Sequence, residues 1–178
     1  ILTFAWTLSG ITKLLGAPDF VSGIFESGAQ NLTGFLPAIV FAVAVGMSFA
    51  TGTSWGTFGI LLPIISAISG LSTELLVISV SACLAGSVCG DHCSPISDTT
   101  IMSSTGAMCN HINHVTTQLP YALTVAGVSF IGYLLVGVVH LLSGLVLSAW
   151  VVLPFSIILL FIVLYIIKLF TAGKAVKA

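Results

Sequence analysis

The chain has 178 residues, of which 57% are hydrophobic and 5% charged, with a formal net charge of −1 and no Arg. Soluble domains carry roughly a quarter charged residues, so this composition excludes a water-wetted globule and reads as integral membrane. Nor does it supply the basic stripe that nucleic acid requires.

The chain opens on Ile1 and runs directly into apolar sequence, with no basic n-region or small-residue cleavage site. That excludes a signal peptide and reads as the C-terminal part of a longer protein. Ile1 to Leu15 is expected to be the end of a helix, closed near Gly16 and Pro18. Ala17 to Thr33, with Asp19, Glu26, Gln30 and Asn31, suits an interfacial loop or short surface helix.

Gly34 to Gly70 carries no charge at all. As one helix it would reach about 55 Å, well beyond a hydrocarbon core of roughly 30 Å. Its centre, Ala50-Thr51-Gly52-Thr53-Ser54-Trp55-Gly56-Thr57, is rich in glycine and hydroxyls. The expectation is a re-entrant hairpin: two half-length helices meeting at a non-helical tip covered by protein or water. The segment from 75 to 111 repeats the pattern. Leu75 to Gly86 is apolar and runs into Gly90-Asp91-His92-Cys93-Ser94-Pro95-Ile96-Ser97-Asp98-Thr99-Thr100. Gly90 and Pro95 are expected to interrupt it, with a short polar half from Thr99 to His111, giving a discontinuous helix. Leu119 to His140 and Leu145 to Ile167 read as ordinary spans, the second flanked by Trp150 and Tyr165. Lys168, Lys174 and Lys177 beyond it place the C-terminus on the cytoplasmic side of a cell membrane. The fold class is all-α: a polytopic helical membrane protein built around two interrupted segments.

The chemistry lies in Asp91 and Asp98. Each charged side chain at bilayer centre costs about 2.5–3.5 kcal/mol, and no Lys or Arg is near in sequence to offset it. A hard alkali cation would, since its ligands are carboxylate, hydroxyl and carbonyl oxygens. Asp91, Ser94, Ser97, Asp98, Thr99 and Thr100 supply them here, and Thr51, Thr53 and Ser54 at the hairpin tip add more. A carboxylate desolvated at depth also holds a proton more tightly, so one site can take Na⁺ or H⁺ but not both. The plain alternative is that both carboxylates sit in an aqueous loop and cap a helix beginning at Ile96.

Three other motifs compete. Gly52-Thr53-Ser54-Trp55-Gly56 matches a nucleophile elbow, with His140 as the default partner, but both flanks read as helix where a strand must precede. Gly90-Asp91 is similar to the intramembrane aspartyl proteases, except that Val88 replaces their first glycine. Cys89, His92, Cys93, Cys109, His111 and His114 offer loose zinc-type spacing, whereas isolated Cys in membrane helices are more often packing residues. His92 is read as a supporting group beside Asp91, and His111 and His114 as markers of a membrane boundary. Gly86-x-x-x-Gly90 and Gly52-x-x-x-Gly56 permit close helix approach.

The runs from Thr51 to Pro63 and from Gly90 to Ser104 resemble the NhaC-type Na⁺/H⁺ antiporter family, with weaker similarity at Ala5-Trp6 and Lys13 to Gly16. The resemblance extends to about Gly137 and covers the C-terminal portion of longer proteins. It implies cation-coupled exchange. Related members exchange malate against lactate with protons or Na⁺, so an organic-anion antiporter is the alternative. Carried over by match, Asp91, Ser94, Asp98, Thr99, Thr53 and Ser54 form the expected ion site, with Na⁺ or a proton held between the hairpin tip and the broken helix, Asp98 as leading ligand and proton acceptor and Asp91 second. Na⁺ and H⁺ are cargo, and no cofactor is expected. The expected partners are the lipid bilayer and an N-terminal half of the same protein, with a homodimer left open and no nucleic acid. The rival of another class is an intramembrane hydrolase using Ser54; a passive channel is a third.

Overall fold

The computed structural model describes Thr7, Ile11 and residues 14–16, 30–68, 71–147 and 149–175. The expected polar loop with Asp19 and Glu26 lies largely outside them. A 3₁₀ turn, Gln30–Phe35, leads into six helices: α1 Leu36–Thr51, α2 Ser54–Ser66, α3 Thr73–Cys93, α4 Asp98–Gly106, α5 His111–Ser143 and α6 Ala149–Ala175. Four helical stretches, Thr33–Thr51, Thr73–Cys93, His111–Ser143 and Trp150–Leu169, are long and apolar enough to cross a membrane. The protein is an all-α membrane protein.

The order of contacts sets the directions. Gly86 of α3 lies against Phe41 and Ala44 of α1, and Gly90 against Val45 and Phe49, so α1 and α3 run parallel. Ile65 and Ile68 share a buried cluster with Leu36, Val40 and Cys83. The chain therefore reverses after α1 and returns along α2. Gly34 meets His140, Gly137 meets Phe35, and Phe41 stacks on Tyr133 at 5.3 Å, so α5 runs antiparallel to α1. Within its most apolar stretch, α6 buries no residue, and Trp150, Leu153 and Phe161 stand exposed, as expected of a lipid-facing helix.

Several boundaries differ from those read off the sequence. Helix α3 does not stop at Gly90 but continues to Cys93. Gly90 is there for proximity: a Cβ would press into the backbone of Val45 and Phe49. The polar half ends at Gly106 instead of His111, because Met108 takes a left-handed conformation (φ 52°) and closes a Schellman motif. Its two bonds are Cys109 N–H to Ser104 O and Met108 N–H to Thr105 O, both 3.0 Å. Asn110 then caps α5 by accepting from Asn113 N–H at 3.2 Å, so His111 begins the next helix. Helix α5 absorbs Pro120 and runs to the left-handed Gly144, which leaves residues 145–147 outside α6.

Gly90→Ala is expected to cost the complete protein about 1–3 kcal/mol by overpacking the α1–α3 seam. Gly46→Ala, whose methyl meets nothing within 4 Å, should not. Thermal unfolding of the two purified variants in detergent checks this, and equal midpoints would remove close approach as the reason for Gly90.

Candidate ion-binding site

Both helix interruptions have local causes. Gly52 takes φ 67°, and its N–H closes α1 on Ser48 O at 2.8 Å. Thr53 is extended, and its hydroxyl accepts from Gly56 N–H at 3.3 Å, capping α2. Two residues thus stop one helix and start the next. In the second interruption Pro95 forces Ser94 out of the helical region (φ −73°, ψ 130°), ending α3, and Ser97 stands at the N-cap of α4 (φ −68°, ψ 135°).

The Ser97 hydroxyl makes no capping bond. It donates instead to Asp91 Oδ1 at 2.7 Å, while Thr99 Oγ1 donates to Asp91 Oδ2 at 3.5 Å, and the two hydroxyls are 2.7 Å apart. Asp91 is only 3% exposed. It is held beside the first turn of α4, whose unpaired N–H groups and dipole favour negative charge. Asp98 differs. It is exposed, and its Oδ1 accepts from Thr99 N–H at 2.8 Å, as a residue of the first helical turn does. The helix start therefore falls at Asp98 and not at Ile96.

The other expected residues distribute as follows. Ser94 is fully buried and its Oγ accepts from Ile96 N–H at 3.3 Å. Thr53 and Ser54 are half-buried at the start of α2. What joins the two interruptions is backbone: a Cβ on Gly52 would lie 2.9 Å from the carbonyl carbon and oxygen of Ile96. His92 is exposed and donates from Nδ1 to Val88 O at 2.9 Å, within its own helix.

Two residues carry more than the sequence assigned them. Ser97 was one hydroxyl among several, and its position as N-cap two residues after Pro95 is the signal that could have singled it out. His111 does not merely begin a helix. Its Nε2 donates to Pro95 O at 2.7 Å and its Nδ1 lies 3.0 Å from Ser104 Oγ, so one ring ties α5 to both the interruption and α4. Thr100 Oγ1 reaches back to His92 O at 3.4 Å, a further tie across the break.

The residues of the competing motifs are placed as follows. Ser54 follows a helix, not a strand. His140 packs on Gly34, before α1, whereas Ser54 lies just beyond its far end. About 24 Å of helix separates them, too far for a nucleophile–base pair. Among the described residues no three His, Cys, Asp or Glu side chains gather as metal ligands. Gly86 and Gly90 do serve close approach, whereas Gly52 serves a turn and Gly56 lies against the Thr53 side chain.

An all-helical membrane protein with two interrupted helices in backbone contact and a buried carboxylate at one of them has the build of a secondary transporter. The model of the Na⁺/H⁺ antiporter family matches residues 1–138, and the chain belongs to that family. A relative described as an uncharacterized protein of Haemophilus influenzae is 53% identical over 146 residues, covering 82% of this chain and 27% of that protein. The Malate-2H(+)/Na(+)-lactate antiporter of Bacillus subtilis is 33% identical over 107 residues, covering 60% of this chain and 22% of that protein. The chain thus spans about a quarter of the length of these relatives. No solved structure matches.

Gly52→Ala combines a left-handed backbone cost of about 1–2 kcal/mol with a clash against the Ile96 backbone. In the complete protein it is expected to lower transport at least tenfold while membrane insertion persists. Ile96→Ala should not rescue it, since the obstruction includes main-chain atoms. Transport assays on the single and double variants, normalised to inserted protein, test the pair; rescue by Ile96→Ala would move the contact to the side chain.

Proposed function

We propose that the chain forms the cation-handling part of a secondary antiporter that exchanges Na⁺ for H⁺ by alternating access. The observation that carries this reading is Asp91, a buried carboxylate with two hydroxyl donors beside the start of a helix. Its side chain is paired with no cation, since its hydrogen-bond partners among the described residues are Ser97 and Thr99. Such a group is neutralised either by a proton or by a bound alkali cation, and competition between the two couples their movements. In this reading Asp91 takes the leading role that the sequence gave to Asp98. Asp98, Ser94, Ser97, Thr99 and the Thr53–Ser54 tip supply oxygen ligands in the states where the two interruptions close on the ion.

Helices α1 and α2 form the hairpin, its first arm long enough for a full span, and the junction of Gly52 with Ile96 is the point at which the two interruptions transmit movement to each other. The remaining length seen in the relatives would cover the exposed rim of this junction, with the bilayer around it. The placement is a cell membrane with the C-terminus in the cytoplasm. Transport, and not hydrolysis, is the reading; the separation of Ser54 from His140 supports it. A second reading is coupled exchange of organic anions, favoured by the named activity of the Bacillus subtilis relative.

The test uses the complete protein in proteoliposomes with a pH dye inside. A Na⁺ pulse should drive proton movement in the wild type, Asp91→Asn should abolish it, and Asp98→Asn should leave a reduced but measurable flux. If wild type responds only when malate or lactate is supplied across the membrane, the organic-anion reading replaces Na⁺/H⁺ exchange. If Asp91→Asn exchanges normally while Asp98→Asn is dead, the assignment of the leading carboxylate is reversed.

A further inference from the structure

Below Asp91 on α3 lie Ser87, Cys83 and Ser79, each one turn further back, and all four are buried (3%, 0%, 0% and 0% exposed). Residues four apart on a helix share a face, with Cβ atoms about 5–6 Å apart. The column is therefore continuous and closed off from solvent, with Cys83 joining the apolar cluster and the two serines and Asp91 supplying polar groups. Ser79 has an ordinary explanation: its hydroxyl donates to Leu75 O at 2.8 Å, one turn back in its own helix.

Ser87 has no such explanation. Its Oγ is buried and makes no hydrogen bond. The Cys83 thiol is its polar neighbour on one side, but sulfur is a weak partner and no bond within ordinary limits forms. Its carbonyl is satisfied, accepting from Ser48 Oγ of α1 at 2.6 Å, so the backbone there is fixed. A buried hydroxyl without a partner is destabilising, and alanine would remove that cost. On the other side, the Asp91 carboxylate accepts two hydrogen bonds out of about four lone-pair sites. A buried hydroxyl with no strong partner and a half-used carboxylate thus lie one turn apart on the same buried face of α3.

We infer that Ser87 Oγ is a ligand of the transported cation, held between it and Asp91, so that the binding position extends from the interruption back along α3. This rests on the antiport reading of Asp91. The chemistry is that of a small, dehydrated alkali cation, which takes oxygen from a carboxylate and a hydroxyl together. Beside this face Gly86 and Gly90 bring α1 close against α3. The bond from the Ser48 hydroxyl to the Ser87 carbonyl holds the ligand's own backbone in place.

The experiment measures Na⁺ binding to the purified complete protein by calorimetric titration with NaCl, and thermal stability without Na⁺, for wild type, Ser87→Ala and Ser87→Cys. Ser87→Ala is expected to weaken Na⁺ binding about tenfold while stability stays equal or rises. Ser87→Cys refills the volume with a soft atom that ligates Na⁺ poorly, so it should bind Na⁺ as weakly as alanine does. A packing role makes the opposite forecast, with alanine destabilised and cysteine close to wild type; that result overturns the inference. Na⁺ affinity within twofold of wild type in Ser87→Ala also overturns it. A wild type that binds no Na⁺ at all, by contrast, fails the antiport reading itself.

Discussion

Two glycines on α3 allow α1 and α3 to lie side by side with their backbones almost touching, and the arrangement of the site follows from that approach. At Gly86 and Gly90 an added methyl would run into main-chain atoms of α1. Because the two helices are parallel and in this register, they end at the same level. Gly52 then meets Ile96, and two chain interruptions that are more than forty positions apart become one junction. Ser48 reinforces the register by bonding across to the Ser87 carbonyl.

At the junction, ordinary helix-end chemistry is redirected. Thr53 caps α2 in the usual way, with its hydroxyl on a backbone N–H. Ser97 holds the equivalent position on α4 but gives its hydroxyl to Asp91, and Asp98 takes over part of the capping through Thr99 N–H. The carboxylate that the helix start needs is therefore Asp98, and the carboxylate that is hidden from water is Asp91. His111 adds an outside clamp, holding the Pro95 carbonyl and the Ser104 hydroxyl with its two nitrogens. Movement of α5 would thereby reach the interruption directly.

The family membership and the geometry bear on different questions. The match over residues 1–138 covers the junction and most of α5, leaving α6 outside. It speaks for transport without choosing the cargo. The geometry shows what packs around Asp91: Gly86 and Gly90 bring α1 against α3, and Ser87 and Ser79 are buried on the same helix.

The sequence by itself determined the membrane class, the helical fold, the two interruptions and the stretch that carries both candidate carboxylates. These depend on local causes: the scarcity of charge, the length of apolar runs, Gly52 followed by a capping threonine, and Pro95 restricting Ser94. What only the tertiary structure decided was which carboxylate is buried, since Asp91 and Asp98 are equivalent in composition and differ in what packs around them. It also decided that Gly90 is a contact residue and not a helix breaker, because a glycine's missing side chain has meaning only against a neighbour. His111 belongs to the same class: its partners lie 7 and 16 positions away, across the helix breaks that precede α5 and α4. Local backbone preference is written residue by residue, whereas burial and long-range hydrogen bonds exist only once the helices have been placed against one another.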